Sequence, residues 1–248
     1  MDGLPIFATA AEAVSEIRNN WRTLVKALIV PAIVISTVET VQLRFSDGLL
    51  YSLLFWSLSA PFYVLFATVC HRTVILGSAS LPSALGVFWT ERETRFFGWT
   101  IALILISWGF GLVIGLVALM MPISLFGLQT PWLPFALVGL IAAYFYLRLS
   151  LVFPATAVDQ RTSIEDTWYL TAGHGFRLMA AIGLPAIAVA VVFSTILYLL
   201  SDPNSVPYVL ITEVFGHTLF MTVVCTISVV YRSLSGLDSI EETAQPQG

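Results

Sequence analysis

The chain has 248 residues, a formal net charge of −4, 58% hydrophobic residues and only 10% charged ones. Soluble domains carry about a quarter of their residues charged, so this composition cannot cover a water-facing surface, and a polytopic membrane protein is expected. Cys70 and Cys225 stand singly in apolar runs, which excludes a disulfide scaffold and a Cys/His metal signature.

Residues 5–20 place Ala10, Ala13, Val14 and Ile17 at helical spacing with Trp21, with Glu12, Glu16 and Arg18 elsewhere on the wheel. This predicts a short interfacial helix. Asp2, Glu12 and Glu16 argue against a cleaved signal peptide, so the first span is expected to act as an uncleaved anchor. Span 1 covers 21–41, with Arg22 and Lys26 placed to snorkel at its start. Arg44 and Asp47 mark a polar turn. Span 2 covers 49–70; its charge-free run, at about 1.5 Å per residue, crosses a hydrocarbon core about 30 Å thick. It ends at His71 and Arg72.

Residues 77–95 form a second polar interval. Ser80 and Pro82 predict a helix start, Leu81, Leu85, Phe88 and Trp89 its apolar face, and Glu91 to Arg95 a solvated end. No Lys, Arg, Asp, Glu or His occurs between Arg95 and Arg148, which leaves room for two spans: 96–121 and 132–153. Ser107, Gly111 and Gly115, and again Gly139 and Ala143, recur at four-residue spacing, as close helix approach requires. Pro and Gly make 122–134 irregular. Span 5 covers 178–200 and span 6 covers 208–231, with Asp202, Pro203 and Asn204 between them. The domain thus runs over 1–232, and the polar tail 233–248 reads as disordered.

Ten of the eleven basic residues fall on one side of these six spans, and only Arg44 falls on the other. By the positive-inside rule both termini are cytoplasmic. The chain also reads as three units, each one interfacial helix and one hairpin of spans, closed by Arg72, Arg148 and Arg232. The fold expected is an all-α six-span bundle with three short cytoplasmic-side interfacial helices.

The third of these helices carries the strongest local pattern. Thr162 or Ser163 caps it, with Glu165 or Asp166 three residues on, and Gly173 and Gly175 end it. The order Arg148, Pro154-Ala155, Asp159, Ser163, then Thr167-Trp168-Tyr169-Leu170-Thr171-Ala172-Gly173 and Phe176-Arg177 resembles the bacterial six-span proteins related to the membrane domain of glycerophosphoryl diester phosphodiesterases. The resemblance is strongest over 144–190 and extends over all six spans. Asp166 and Thr167 stand where that family often has a basic residue and Ser. There is no room outside the spans for the family's catalytic domain, so phosphodiesterase activity is not implied. What the resemblance implies is a multi-pass protein of the bacterial inner membrane.

Two sets of candidate site residues follow. Arg148, Asp159, Trp168, Gly173 and Arg177 form a cytoplasmic motif suited to a lipid headgroup. Glu213 and His217, four apart on span 6, share a helix face and suit a proton path; the competing reading pairs Glu213 with Arg44 and gives His217 a Thr or Tyr partner. Glu39 is expected at the outer interface. No phosphate loop, nucleophile elbow, zinc signature or nucleic-acid footprint occurs, so no cofactor and no enzymatic activity are expected. The leading expectation is a protein that binds membrane lipid or another amphiphile, or organises other membrane subunits. The alternative is a small transporter or channel using Glu213 and His217.

Overall fold

The computed structural model describes residues 4–42, 48–81, 89–120, 132–200 and 206–237. The described residues are helical, with no strand: α1 (Ile6–Gln42), α2 (Leu49–Leu76), a 3₁₀ turn (Ser78–Ser80), α3 (Glu91–Met120), α4 (Trp132–Leu149), α5 (Val152–Ala157), α6 (Ile164–Leu170), α7 (Gly175–Leu200) and α8 (Val206–Ser235). Six of them, α1, α2, α3, the α4–α5 stretch, α7 and α8, contain segments long and apolar enough to cross a membrane. The exterior agrees. Leu105, Trp108 and Leu112 of α3 and Ile187, Val191 and Tyr198 of α7 are mostly exposed. A water-soluble surface does not present apolar bands of this kind. The protein is an all-α membrane bundle.

Three hairpins build it: α1 with α2, α3 with α4, and α7 with α8. Helices α2 and α8 cross at the centre, with α1 packed on both and α5 inserted between α2, α3 and α8 at one end. Ala67, Cys70, Cys225 and Val229 lie in that centre, and their small side chains let the two backbones approach. Hydroxyls here satisfy themselves. Thr73, Thr222 and Thr226 each donate to the carbonyl four residues back, so they are satisfied within their own helix in apolar surroundings; Ser228 does the same and also meets His71 of α2.

The helix limits differ from the sequence expectation at four places. The interfacial helix expected over 5–20 is not separate. It runs unbroken into span 1 as α1, and Asn20 at the expected junction bonds back to Glu16 of the same helix. Helix α3 starts at Glu91, so the Glu91–Arg95 run forms its first turn, with Glu91 solvated and Glu93 turned inward; residues 82–88, where the second interfacial helix was expected, lie outside the described residues. Glu93 is buried and accepts bonds from the Thr90 main-chain N–H at 2.8 Å and from the Thr90 hydroxyl, an N-terminal cap. The span expected over 132–153 breaks at Ser150 into α4 and α5. Pro154 falls in the first turn of α5, where its missing N–H costs no helical bond. Finally, α8 continues to Ser235, past the expected start of the tail at 233; 238–248 lie outside the described residues. Among the described residues no close approach is made at Gly111, Gly115 or Gly139, since no heavy atom lies within 4 Å of where their Cβ would be.

Candidate functional site

Three helices bring five polar side chains together between α1, α2 and α8. Helix α1 supplies Ser36 and Glu39, one turn apart. Helix α2 supplies Tyr63, and α8 supplies Glu213 and His217. Ser36 Oγ donates to Glu213 Oε2 at 2.7 Å and lies 3.4 Å from His217 Nε2. His217 Nε2 is 3.9 Å from the same Glu213 oxygen. On the other side Tyr63 OH donates to Glu39 Oε1 at 3.3 Å. The two carboxylates are near enough to repel each other. The Tyr63 ring is held edge-on by Phe220 of α8, with centroids 5.1 Å apart. His217 is buried, and Glu213 is about a quarter exposed at 26%.

The proton inventory of this cluster is informative. Ser36 has one proton, and Glu213 takes it. The Ser36 oxygen can then accept only from His217, which requires that Nε2 carry a hydrogen. The result is a chain in which His217 Nε2–H, Ser36 Oγ–H and the Glu213 carboxylate stand in donor–acceptor order. Imidazole, hydroxyl and carboxylate in that order can pass a proton by successive transfers. Among the described residues no three His, Cys, Asp or Glu side chains converge closely enough to hold a metal ion.

Sequence reasoning named Glu213, His217 and Glu39. The structure bridges Glu213 and His217 through Ser36 and pairs Glu39 with Tyr63 beside them. Tyr63 and Ser36 are not among the candidate site residues, because a lone hydroxyl side chain in an apolar span carries no pattern. Glu39, near the end of α1, accepts from Tyr63 of α2. The partner of His217 is a serine, not a Thr or Tyr. The expected Glu213–Arg44 pair involves Arg44, which lies outside the described residues.

The opposite end of the bundle is rich in arginine, and there the second candidate set divides. Arg148 is buried, and all three of its guanidinium nitrogens make contacts inside the bundle. Nε donates to Thr171 Oγ1 at 2.8 Å and Nη2 to the Trp168 carbonyl at 2.7 Å, while Tyr144 OH lies 3.4 Å from Nη1. The guanidinium also lies 3.4 Å from the Trp168 ring centroid, and Phe145 stacks on the same indole. Arg148 therefore ties α4 to α6 through three of its five N–H donors. Gly173 follows in a left-handed turn, φ +78°, that feeds α7. Arg177 is exposed on α7. Asp159 belongs to a different group. It takes Arg72 at 3.2 Å and Arg92 at 3.1 Å on one oxygen and Arg95 at 3.6 Å on the other. Its φ of 62° places it in the left-handed region, which aspartate tolerates better than most residues.

The three unit-closing arginines share one task. Arg72 donates to the Ala157 carbonyl at 3.0 Å, Arg148 to that of Trp168, and Arg232 to that of Val74 at 2.8 Å. Each carbonyl lies in the last turn of a helix in another part of the bundle, where main-chain oxygens lack helical partners and the helix dipole is negative. Arg232 also binds Glu12 and, at 3.0 Å, Glu16, which closes α8 back onto α1.

Nearer the centre, His71 is buried with Nδ1 2.7 Å from Ser228 Oγ. Cys70 and Cys225 face each other across α2 and α8 as free, buried thiols. Comparison with protein-family models, curated proteins and solved structures finds no match to this chain.

Proposed function

We propose that the protein is a six-span protein of the bacterial inner membrane, with its arginine-rich end and both termini in the cytoplasm, that conducts protons through the cluster of Ser36, Glu39, Tyr63, Glu213 and His217. The basic residues support the orientation, because they gather at one end of the bundle. The resemblance of the segment around Trp168 to six-span inner-membrane proteins supports the location. The observation that carries the function is the serine bridge, which joins an imidazole and a carboxylate from α8 to a third helix inside an apolar bundle.

Ionisable side chains are costly inside a bilayer and are retained there mainly for pathways and relays. A proton fits this site better than a metal cation. Each carboxylate already faces a hydroxyl donor, whereas a cation site offers acceptors alone. The lipid-binding expectation is supported at a different place, the arginine-rich end.

The test is proton flux into liposomes that hold the purified protein and a pH-sensitive dye, driven by a potassium diffusion potential. Wild-type protein should acidify the lumen. Glu213→Gln and His217→Ala should each lower the rate at least ten-fold. Unchanged flux in both variants would reject the reading.

A further inference from the structure

A cavity of about 540 Å³ opens at the arginine-rich end, between the start of α3 and the segment from α5 to α6. Its polar wall holds Arg95 and Arg161 with one carboxylate, Glu91, and the neutral Thr156, Gln160 and Thr162, and its apolar wall holds Gly98, Trp99 and Ala102 of α3. The two walls ask for a ligand with two chemistries.

The polar wall favours an anion. Arg72, Arg92 and Arg95 converge on Asp159, Arg92 also pairs with Glu93, and Glu91 is 4.0 Å from Arg95. Arg161 makes no ion pair among the described residues. Four guanidinium groups thus face three carboxylates, and the surplus cation, Arg161, lines the cavity. Arg95, also in that wall, keeps a buried Nε–H without a hydrogen-bond acceptor. A buried donor left unmet costs about 1–3 kcal/mol, and the Glu91 carboxylate oxygen Oε1 stays 4.0 Å away.

The apolar wall continues down the helix. Gly98, Ile101 and Ala102, Leu105, Trp108 and Leu112 recur three to four residues apart along α3, so they form one face. Ile101, Leu105, Trp108 and Leu112 are exposed, Leu105 by 65% and Trp108 by 69%. Among the described residues nothing lies within 4 Å of the Cβ position of Gly98. Nothing among the described residues obstructs an apolar chain that enters from the cavity and runs along this face.

We infer that the cavity binds an anionic phospholipid, with its phosphate against Arg95 and Arg161 and an acyl chain along the Gly98–Leu112 face. Phosphate suits this wall because guanidinium groups pair with it through parallel N–H bonds, and Thr162 and Gln160 add neutral donors. This site is separate from the proton cluster, so either reading can fail without the other.

The experiment uses the full chain in neutral detergent. Bound lipid is counted by native mass spectrometry during titration with dioctanoyl phosphatidylglycerol, dioctanoyl phosphatidylcholine or inorganic phosphate, the last followed by thermal shift. Phosphatidylglycerol should occupy the protein at a concentration at least ten-fold below phosphatidylcholine, and inorganic phosphate should not stabilise it at matched concentration. Arg161→Gln and Gly98→Leu should each weaken occupancy at least ten-fold. Both should keep the unliganded melting temperature and wild-type proton flux, since Arg161 makes no ion pair and Gly98 faces open space. Equal binding of the two lipids, equal stabilisation by inorganic phosphate, or wild-type occupancy in both variants would overturn the inference.

Discussion

Ser36 of α1 and Glu213 of α8 are joined by a 2.7 Å hydrogen bond across 177 positions of sequence. The same serine oxygen faces His217 at 3.4 Å, so one hydroxyl connects two ionisable groups. Ser36→Ala should therefore break the relay without removing either group. Flux in the dye assay should fall at least ten-fold, and Ser36→Thr should restore most of it. A melting temperature within a few degrees of wild type in both variants would separate relay loss from unfolding.

Tyr63 gives an independent check on the same cluster. Tyr63→Phe keeps the ring against Phe220 and removes only the hydroxyl donated to Glu39. If Glu39 belongs to the path, this change and Glu39→Gln should lower flux by similar factors, and the double variant should be no slower than either single one. Additive losses would take Glu39 and Tyr63 out of the path.

Arg148 is predicted to be structural. Arg148→Ala removes hydrogen bonds to Thr171 and to the Trp168 carbonyl together with a cation–π contact. The expected cost is about 2–4 kcal/mol, read from urea titration in detergent. Arg148→Lys should recover less than half of it, because an ammonium cannot reproduce the planar fork. Flux and phosphatidylglycerol binding should persist in whatever fraction remains folded.

Gly175 opens α7 beneath Tyr144. A methyl group built there would lie 2.5 Å from Tyr144 Cε2 and 2.6 Å from its hydroxyl oxygen. Gly175→Ala should destabilise the protein by about 1–3 kcal/mol through overpacking. Adding Tyr144→Leu should remove most of that penalty, so a double-mutant cycle in thermal denaturation should be strongly non-additive.

The cap of α6 predicts a pH response. The Ser163 hydroxyl and the Ser163 main-chain N–H both donate to Asp166 and hold its carboxyl below the usual range. A carboxyl lowered on folding contributes stability that is complete above its unfolded value, about 3.9, and is lost as pH falls through the lower folded value. Hydrogen exchange of the first turn of α6 should be flat from neutral pH to about 4 and rise below that, apart from the intrinsic trend. Asp166→Asn should exchange faster at neutral pH and lack the acid transition.

Much of the architecture was legible without coordinates. Charge-free runs mark the spans, because a charge at the bilayer centre costs more than a short chain can offset. The Ser163–Asp166 capping box was also legible, since its parts lie three residues apart and depend on no distant contact. So was the shared face of Glu213 and His217, which four-residue spacing guarantees on any helix.

Other features depended on which helix meets which. In a water-soluble helix the polar face shows its rotation. In these spans the lipid-facing and buried sides are equally apolar, so the periodicity that would show rotation is erased. For that reason the sequence could not show that Glu39 turns to Tyr63, that Ser36 bridges α1 to α8, or that Arg148 is consumed inside the bundle while Arg95 and Arg161 line a cavity. The amino-acid order by itself determined the spans, the segregation of basic residues and the local caps, all set by composition and short-range spacing. Tertiary packing alone decided which polar groups from separate helices meet, because those meetings depend on helix rotation and on pairings between residues far apart in the chain.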